Sequence, residues 1–214
     1  MQTEQPYIHA LGRAAFTRFY DPFIRAMIPE RAFKERLIDL ADVRPGLRVL
    51  DVGAGTGTLA ILIKQRVPEA VVVGVDGDPA ILDIARRKVV TTGVDVELRE
   101  GLARRLPFPD ASFDRVVTSL VVHHLADKEA VFREMARVLG PGGELHVADF
   151  GPPRTTAGRI VASMARRFER VADNLEGRLP DLMRAAGFAD VEEISQFPIL
   201  LGVVLLVHLR GRKR

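Results

Sequence analysis

The stretch from Val49 to Gly57, VLDVGAGTG, decides the fold. Val49, Leu50 and Val52 form a short apolar run broken by one acid, Asp51, and glycines then stand at alternate positions, Gly53, Gly55 and Gly57, ahead of the segment TLAILIKQ. An apolar run that stops at glycines and leads into helix-forming residues predicts strand, tight turn, helix. Glycine lets such a turn take positive φ and lets backbone approach a ligand where a Cβ would intrude. The helix beginning near Gly57 or Thr58 points unpaired N–H groups and its positive dipole end at the same space. A polar ligand with an anionic group is expected on this turn.

Working outward, strands and helices alternate from Arg48 onward, the pattern of a mostly parallel sheet. Strands are expected at 48–52, 71–75, 95–98, 115–119 and 144–148, and helices at 58–66, 79–91 and 128–139. Pro141-Gly142-Gly143 reads as a break before the fifth strand. Residues 151–187 make a longer excursion with a basic amphipathic helix, then a helix at 179–186. The chain ends with strands at 190–195 and 201–209, separated by Phe197-Pro198 and able to pair antiparallel. The first 45 residues look helical: Phe16, Phe19, Tyr20, Phe23, Ile24 and Met27 suggest two short helices and 31–41 a third. The expected organisation is one domain over 1–214, with a helical cap (1–45), a ligand-binding core (46–150) and substrate-side helices with the last strands (151–214).

A chain of 214 residues, 47% hydrophobic and 28% charged, can bury a sizeable core. Its net charge of +3 permits an acidic partner without demanding one, and the basic residues are spread along helix faces, so no nucleic-acid contact is expected. There is no cysteine, which excludes disulfides, thiolate metal sites and cysteine nucleophiles. The N-terminus MQTEQPY lacks a basic region followed by an apolar one, and the run Ile199 to Val207 is too short to span a bilayer. A cytoplasmic protein without integral membrane association or a metal is the expectation.

Asp76 closes the second strand in GVDGDP, 25 positions after Asp51 (76 − 51). An acid at the end of the strand adjoining a glycine turn can accept two hydrogen bonds from a ribose diol. A dinucleotide fingerprint has G-x-G-x-x-G, whereas here the spacing is G-x-G-x-G and Thr58 occupies the place of the third glycine. A nicotinamide-dependent oxidoreductase is the disfavoured alternative.

VLDVGAGTG, GVDGDPAILDIARRK, GLARRLPFPDASFDRVVTSLVVHHL and LGPGGELHVADF together resemble the motifs of class I S-adenosylmethionine-dependent methyltransferases, over roughly residues 48–149. Within them the chain looks most like the ubiquinone and menaquinone biosynthesis type, which acts on small molecules. The resemblance implies a Rossmann-like α/β fold: a seven-stranded, mostly parallel sheet of order 3-2-1-4-5-7-6, last strand antiparallel, with helices on both faces. It implies S-adenosylmethionine as cofactor, S-adenosylhomocysteine as product and a small-molecule acceptor such as a quinol. It places Gly53, Gly55 and Gly57 beside the methionine part, Asp51 near its amino group, Asp76 on the ribose, Gly77 and Ile81 against the adenine, and the Ala103 N–H on the adenine ring. Ser119 and Leu120 would lie along the methionine chain, and Tyr20 would touch the cofactor. Many relatives carry an acid where this chain has Leu102, and that acid accepts a hydrogen bond from the adenine amine. A cofactor-binding protein without catalysis is the second alternative.

Methyl transfer asks mainly for alignment and exclusion of water, with a base where the acceptor must lose a proton. His123, His124 and Asp149 are the candidates. An apolar stripe of Ile160, Val161, Met164, Phe168 and Val171 reads as core ahead of acceptor pocket. The basic side of that helix is a place where peripheral membrane contact is conceivable.

Overall fold

The structure, a computed structural model, describes residues 30–165 and 170–214. Tyr20, the two short helices expected over 16–27, and Phe168 lie outside those residues. In chain order the elements are α1 (Glu30–Ala41), β1 (Arg48–Val52), α2 (Thr58–Arg66), β2 (Val71–Asp76), α3 (Pro79–Thr92), β3 (Glu97–Glu100), β4 (Phe113–Ser119), a 3-10 turn (Val122–His124), α4 (Lys128–Val138), β5 (Leu139–Phe150), α5 (Thr156–Ala165), α6 (Ala172–Leu175), α7 (Leu179–Ala185), β6 (Phe188–Ile199), a second 3-10 turn (Leu200–Gly202) and β7 (Val204–Lys213). The seven strands lie in the order β3-β2-β1-β4-β5-β7-β6, as expected. β1 to β5 run parallel, and β7 is antiparallel to both its neighbours. Strand order reverses between β1 and β4, and in open α/β sheets the crevice outside the carboxyl ends of such strands is where ligands bind.

Alternate strand residues feed two cores. On one face Leu50, Val52, Val116, Leu145 and Val147 meet Phe132 and Met135 of α4 and Met183 of α7. On the other, Val49, Val72, Val117 and Ala148 meet Leu37 and Ile38 of α1 and Leu59 and Ile63 of α2. Burying each of these large side chains is worth about 1.5–3 kcal/mol, which fixes both the register and the direction in which each strand's last residue points.

Four expectations change. β3 sits two residues later than expected, because its register is set by pairing with β2 out to Asp76↔Glu100 and its own side chains are largely exposed. β5 starts at Leu139 and contains Pro141-Gly142-Gly143. Its pairing jumps from Phe113↔Leu139 to Arg115↔Glu144, and Gly142 takes φ +74°. The turn residues therefore form a bulge inside the strand instead of ending it. Phe197-Pro198 lies within β6, where proline is tolerated because this is an edge strand.

The fourth change concerns the apolar stripe, which does not face the core. Ile160 is 59% and Met164 55% exposed, while Val171 is buried. α5 approaches the β6–β7 tip through its small residues: a Cβ on Gly158 would lie 2.5 Å from the Val203 carbonyl oxygen, and Ala162, one turn on, is buried. Close helix approach selected the side without large side chains, so the large ones point outward.

Two histidines are buried between β5 and β7. His146 Nδ1 and His208 Nε2 are 3.3 Å apart, which requires one to donate and the other to accept. Burial first, then the charges of His146, Arg36 and Arg210, push His208 down to about 3. Burial likewise lowers His146, against the opposing pull of Glu144. A histidine depressed in the folded state binds its proton more readily when unfolded, so stability is complete above the unfolded value of 6.5 and is lost as pH falls below it. Taking the protein from pH 7 to pH 5 should cost about 2 kcal/mol from His208 alone. Urea titrations at both pH values test this, and His208→Leu should shrink the difference; an unchanged difference would remove His208 from the account.

Candidate functional site

β1 ends at Val52, and the chain turns through Gly53, Gly55 and Gly57 at φ +73°, +54° and +74°. Two of these glycines are needed for different reasons. A Cβ on Gly53 would sit 2.4 Å from a methyl of Val121, so the turn lies against the segment that follows β4. A Cβ on Gly55 would meet nothing within 4 Å among the described residues, so with respect to them it would project into open space above the turn. Gly57 is the N-cap of α2 in left-handed conformation, with no side-chain cap. α3 and α4, by contrast, are capped by the carboxylates of Asp78 and Asp127. Among the described residues no side chain caps the N–H groups of Thr58 and Leu59, the first two of α2, and they face the space over the turn. Lys88 Nζ donates to the Thr56 and Thr58 hydroxyls at 3.0 and 2.8 Å, which ties α3 to this turn.

Two acids flank it. Asp76 Oδ2 accepts from Gly55 N at 2.8 Å and Oδ1 from Asp78 N at 3.0 Å. It braces the turn, and its remaining lone pairs can still accept hydroxyls. Asp51 is buried, and its Oδ2 has no partner among the described residues. Burial raises its pKa to about 7; the charge of Lys34 opposes this, Asp76 adds to it, and a hydrogen bond from the Ala60 backbone opposes it. Lys34 is itself buried on α1, three residues before Leu37 and four before Ile38 of the inward stripe. Its helical phase was a readable signal of an inward cation, and the sequence reasoning overlooked it.

Across the crevice, β4 ends at Ser119, whose Oγ is buried and has no partner among the described residues. Leu120 follows at φ +57°, a conformation costly for a residue with a γ-branched side chain, and its N–H reaches the Ala148 carbonyl at 2.9 Å. No sequence feature announces that strain. It turns the chain sharply, so the 3-10 turn Val122–His124 comes back over the end of β5. His123 and Asp149 are both buried there, with His123 Nδ1 2.8 Å from Asp149 Oδ1. Asp149 also accepts from the backbone N–H of His123 at 3.3 Å and of Phe150 at 2.7 Å. Burial alone would raise its pKa, but the His123 charge and these hydrogen bonds reverse the sign and hold it below the ordinary carboxylate value. Asp149 is thus an ionised acceptor. Nδ1–H donating to this carboxylate fixes the tautomer and orientation of the His123 ring. The Phe150 ring meets the His123 ring edge-on at 4.8 Å.

His124 stacks beside His123 with ring centroids 3.9 Å apart and keeps an exposed edge. Desolvation of the sheltered part, then the neighbouring His123, lowers its pKa to about 4. Among the described residues it has no carboxylate partner comparable to Asp149.

Gly77 precedes the Asp78 cap, and Ile81 lies half-buried in the first turn of α3. Leu102 is half-buried, its carbonyl closed onto Arg105 N at 2.8 Å, and Ala103 next to it packs against the core. Two features went unnoticed in the sequence. Lys128 is buried, with Nζ donating to the Leu125 and Arg170 carbonyls and lying 3.2 Å from Asp173, so it pins α6 onto the His123 turn. Asn174 of α6 is also buried, with Nδ2 3.4 Å from the Phe150 carbonyl and Oδ1 unpartnered. Long-range contacts of this kind leave no local spacing to read.

The orphaned Asp51 Oδ2 and Ser119 Oγ, the open space at Gly55 and the uncapped α2 terminus fit a ligand with a cationic amino group and an acid at one end and a ribose at the other. The comparisons agree. The family described as methyltransferase domain matches residues 49–143. The demethylmenaquinone methyltransferase of Thermus thermophilus is 39% identical over 166 residues, 78% of this chain and 74% of that protein. The ubiquinone/menaquinone biosynthesis C-methyltransferase UbiE of Xanthomonas oryzae is 33% identical over 205 residues, 83% of this chain and 78% of that one. Among solved structures, the YcgJ protein of Bacillus subtilis superposes with a TM-score of 0.70 at 22% identity, covering 86% of this chain and 99% of that one. The chain belongs to the class I S-adenosylmethionine-dependent methyltransferases, of the ubiquinone/menaquinone biosynthesis type.

Proposed function

We propose that this methyltransferase methylates a ring carbon of a quinol whose prenyl tail resides in a bilayer, acting from the cytoplasm, with His123 as the base. The observation that carries the reading is the buried His123–Asp149 pair beside the glycine turn, in a chain whose relatives are named for quinone biosynthesis. In this reading Gly53, Gly55, Gly57, Asp51, Ser119 and Leu120 hold the methionine part of S-adenosylmethionine, Asp76 the ribose, and Gly77, Ile81, Leu102 and Ala103 the adenine. When bound, the cofactor supplies a methyl group already activated on a sulfonium. The rest falls to the chain. His123 Nε2 takes the proton from the quinol hydroxyl, which pushes electron density onto the neighbouring ring carbon; once that carbon carries the methyl group it loses its own hydrogen as a proton and the oxygen regains one, so the ring is restored and one proton leaves overall. Asp149 holds the resulting imidazolium in place and offsets its charge. The turn 122–124 and α6, fastened by Lys128, close the site against water.

Turnover with a tail-less demethylated naphthohydroquinone, followed as S-adenosylhomocysteine release and a methylated product by mass spectrometry, tests the reading. Tight cofactor binding without turnover on quinols, or turnover on amine acceptors only, would sink it.

Two further outcomes follow. Asp51, raised to about 7 by burial, is close to half protonated at neutral pH. A cationic ligand beside it favours the carboxylate, so binding at pH 7 should expel up to about half a proton, and affinity should rise between pH 6 and 8 by at most about tenfold per unit. Calorimetry in buffers of different ionisation enthalpy reads the proton, and Asp51→Asn should abolish its release. Leu102→Asp restores an acceptor for the adenine amine. Its position is half-buried beside the exposed Arg104 and Arg105, so the carboxylate is not stranded. S-adenosylhomocysteine should bind about threefold tighter, the effect of one hydrogen bond; equal or weaker affinity would mean that Leu102 works by packing on the adenine.

A further inference from the structure

We propose that the β6–β7 tip and the outer face of α5 form one docking surface for the anionic face of a lipid bilayer. For its purpose the proposal rests on the quinol reading; its observations are separate. Leu200, Leu201 and Gly202 stand in succession at φ +50°, +55° and +83°. Leucine enters that conformation at a cost that asparagine, aspartate or glycine largely avoids. Leu201 is nevertheless there, fully exposed at 105% of its reference area. The fold holds an apolar side chain outward in a strained turn where a polar residue would fit better.

Beside it, α5 turns Gly158 and Ala162 inward and presents Ile160 and Met164 to solvent. The two elements touch: Thr155 Oγ1 lies 3.5 Å from the Gly202 carbonyl, and Gly158 abuts Val203. Of the six large hydrophobic residues exposed among the described residues, three, Ile160, Met164 and Leu201, gather at this corner. The described residues 151–165 and 170–171 carry three arginines, Arg154, Arg159 and Arg170, and no acid, with Arg154 lying 3.6 Å from Glu193 of β6. Exposed apolar side chains within a basic segment suit a surface of anionic headgroups over acyl chains, and suit a second protein of ordinary composition less well. The location agrees. β7 runs from this tip to pair Leu206 with Phe150, the residue after Asp149, so the corner borders the acceptor side of the site.

Flotation of the full chain with vesicles of phosphatidylcholine, alone or mixed equally with phosphatidylglycerol, is the test. The wild type should float with the mixed vesicles, less so at high salt, and weakly with phosphatidylcholine alone. Leu201→Asp combined with Ile160→Glu should lower partitioning by about tenfold or more. Aspartate accepts the left-handed conformation and no described residue packs on Leu201, so Leu201→Asp should melt no lower than wild type. The variant should turn over a tail-less quinol normally and a long-tailed quinol in vesicles poorly. No flotation of the wild type, or equal flotation of the variant, overturns the proposal. So does a wild-type dimer that Leu201→Asp converts to monomer without vesicle binding, since the corner would then join copies of the chain. A wild type that floats yet methylates neither quinol would defeat the quinol reading while leaving the docking surface standing.

Discussion

Gly55→Val should abolish S-adenosylmethionine binding, a loss of at least about a hundredfold, while the protein still folds. The expectation separates two kinds of glycine within one turn. At Gly55 an added Cβ meets no atom of a described residue within 4 Å, so the new side chain disturbs none of their packing. It fills the space over the turn where the ligand's backbone contacts would be made, and it resists φ +54°. Holding a branched residue in that conformation costs about 1–2 kcal/mol. At 2–4 °C per kcal/mol for a chain of this size, melting should fall by about 2–8 °C. Gly53 behaves otherwise: its Cβ would sit 2.4 Å from Val121, so Gly53→Val should lose stability first and binding as a consequence. Titration calorimetry and thermal melts on both variants check the contrast. A folded Gly55→Val that binds normally would mean the ligand lies elsewhere.

His123→Ala should lower kcat by about 10²- to 10⁴-fold, the usual contribution of a positioned base, with cofactor affinity within about twofold of wild type. The imidazole is buried, fixed by Asp149 at 2.8 Å and by the Phe150 ring, so its removal takes away the proton acceptor and leaves the glycine turn untouched. Asp149→Asn tests the tautomer. Asp149 accepts three N–H groups, from His123 Nδ1, His123 N and Phe150 N. Asparagine replaces one acceptor oxygen with a donor, so either the His123 backbone N–H is orphaned, or the Phe150 backbone N–H is orphaned and the imidazole must turn its proton to Nε2. The second arrangement leaves no base at the acceptor, and kcat should fall by about a hundredfold or more. Both variants should lose the rising acid limb of the pH–rate profile. A variant that keeps that limb and turns over normally would make the pair a structural fastening of the 122–124 turn.

Much of this protein was legible in the sequence, for local reasons. The run from Val49 to Gly57 specifies strand, turn and helix through residues adjacent in the chain, and Asp76 follows at the end of the next strand because one helix and one strand fill the interval. The sheet order came from resemblance, and the observed pairing agrees with it. β3 slipped because an exposed edge strand offers no apolar alternation to pin its register, and Pro141-Gly142-Gly143 became a bulge because β4 pairs with β5 on either side of it, at Leu139 and again from Glu144.

Tertiary structure alone decided the rest. His123 and Asp149 were candidates by position, but their pairing needed Leu120 in the left-handed region, which nothing in the local sequence requests. Asp51 was an expected contact, yet its raised pKa comes from burial set against Lys34 of α1, a balance that exists only once the helix is docked. On α5 the outcome inverted the pattern. Apolar periodicity says which residues share a face, and only close approach of Gly158 to the β6–β7 tip determined which face turned inward.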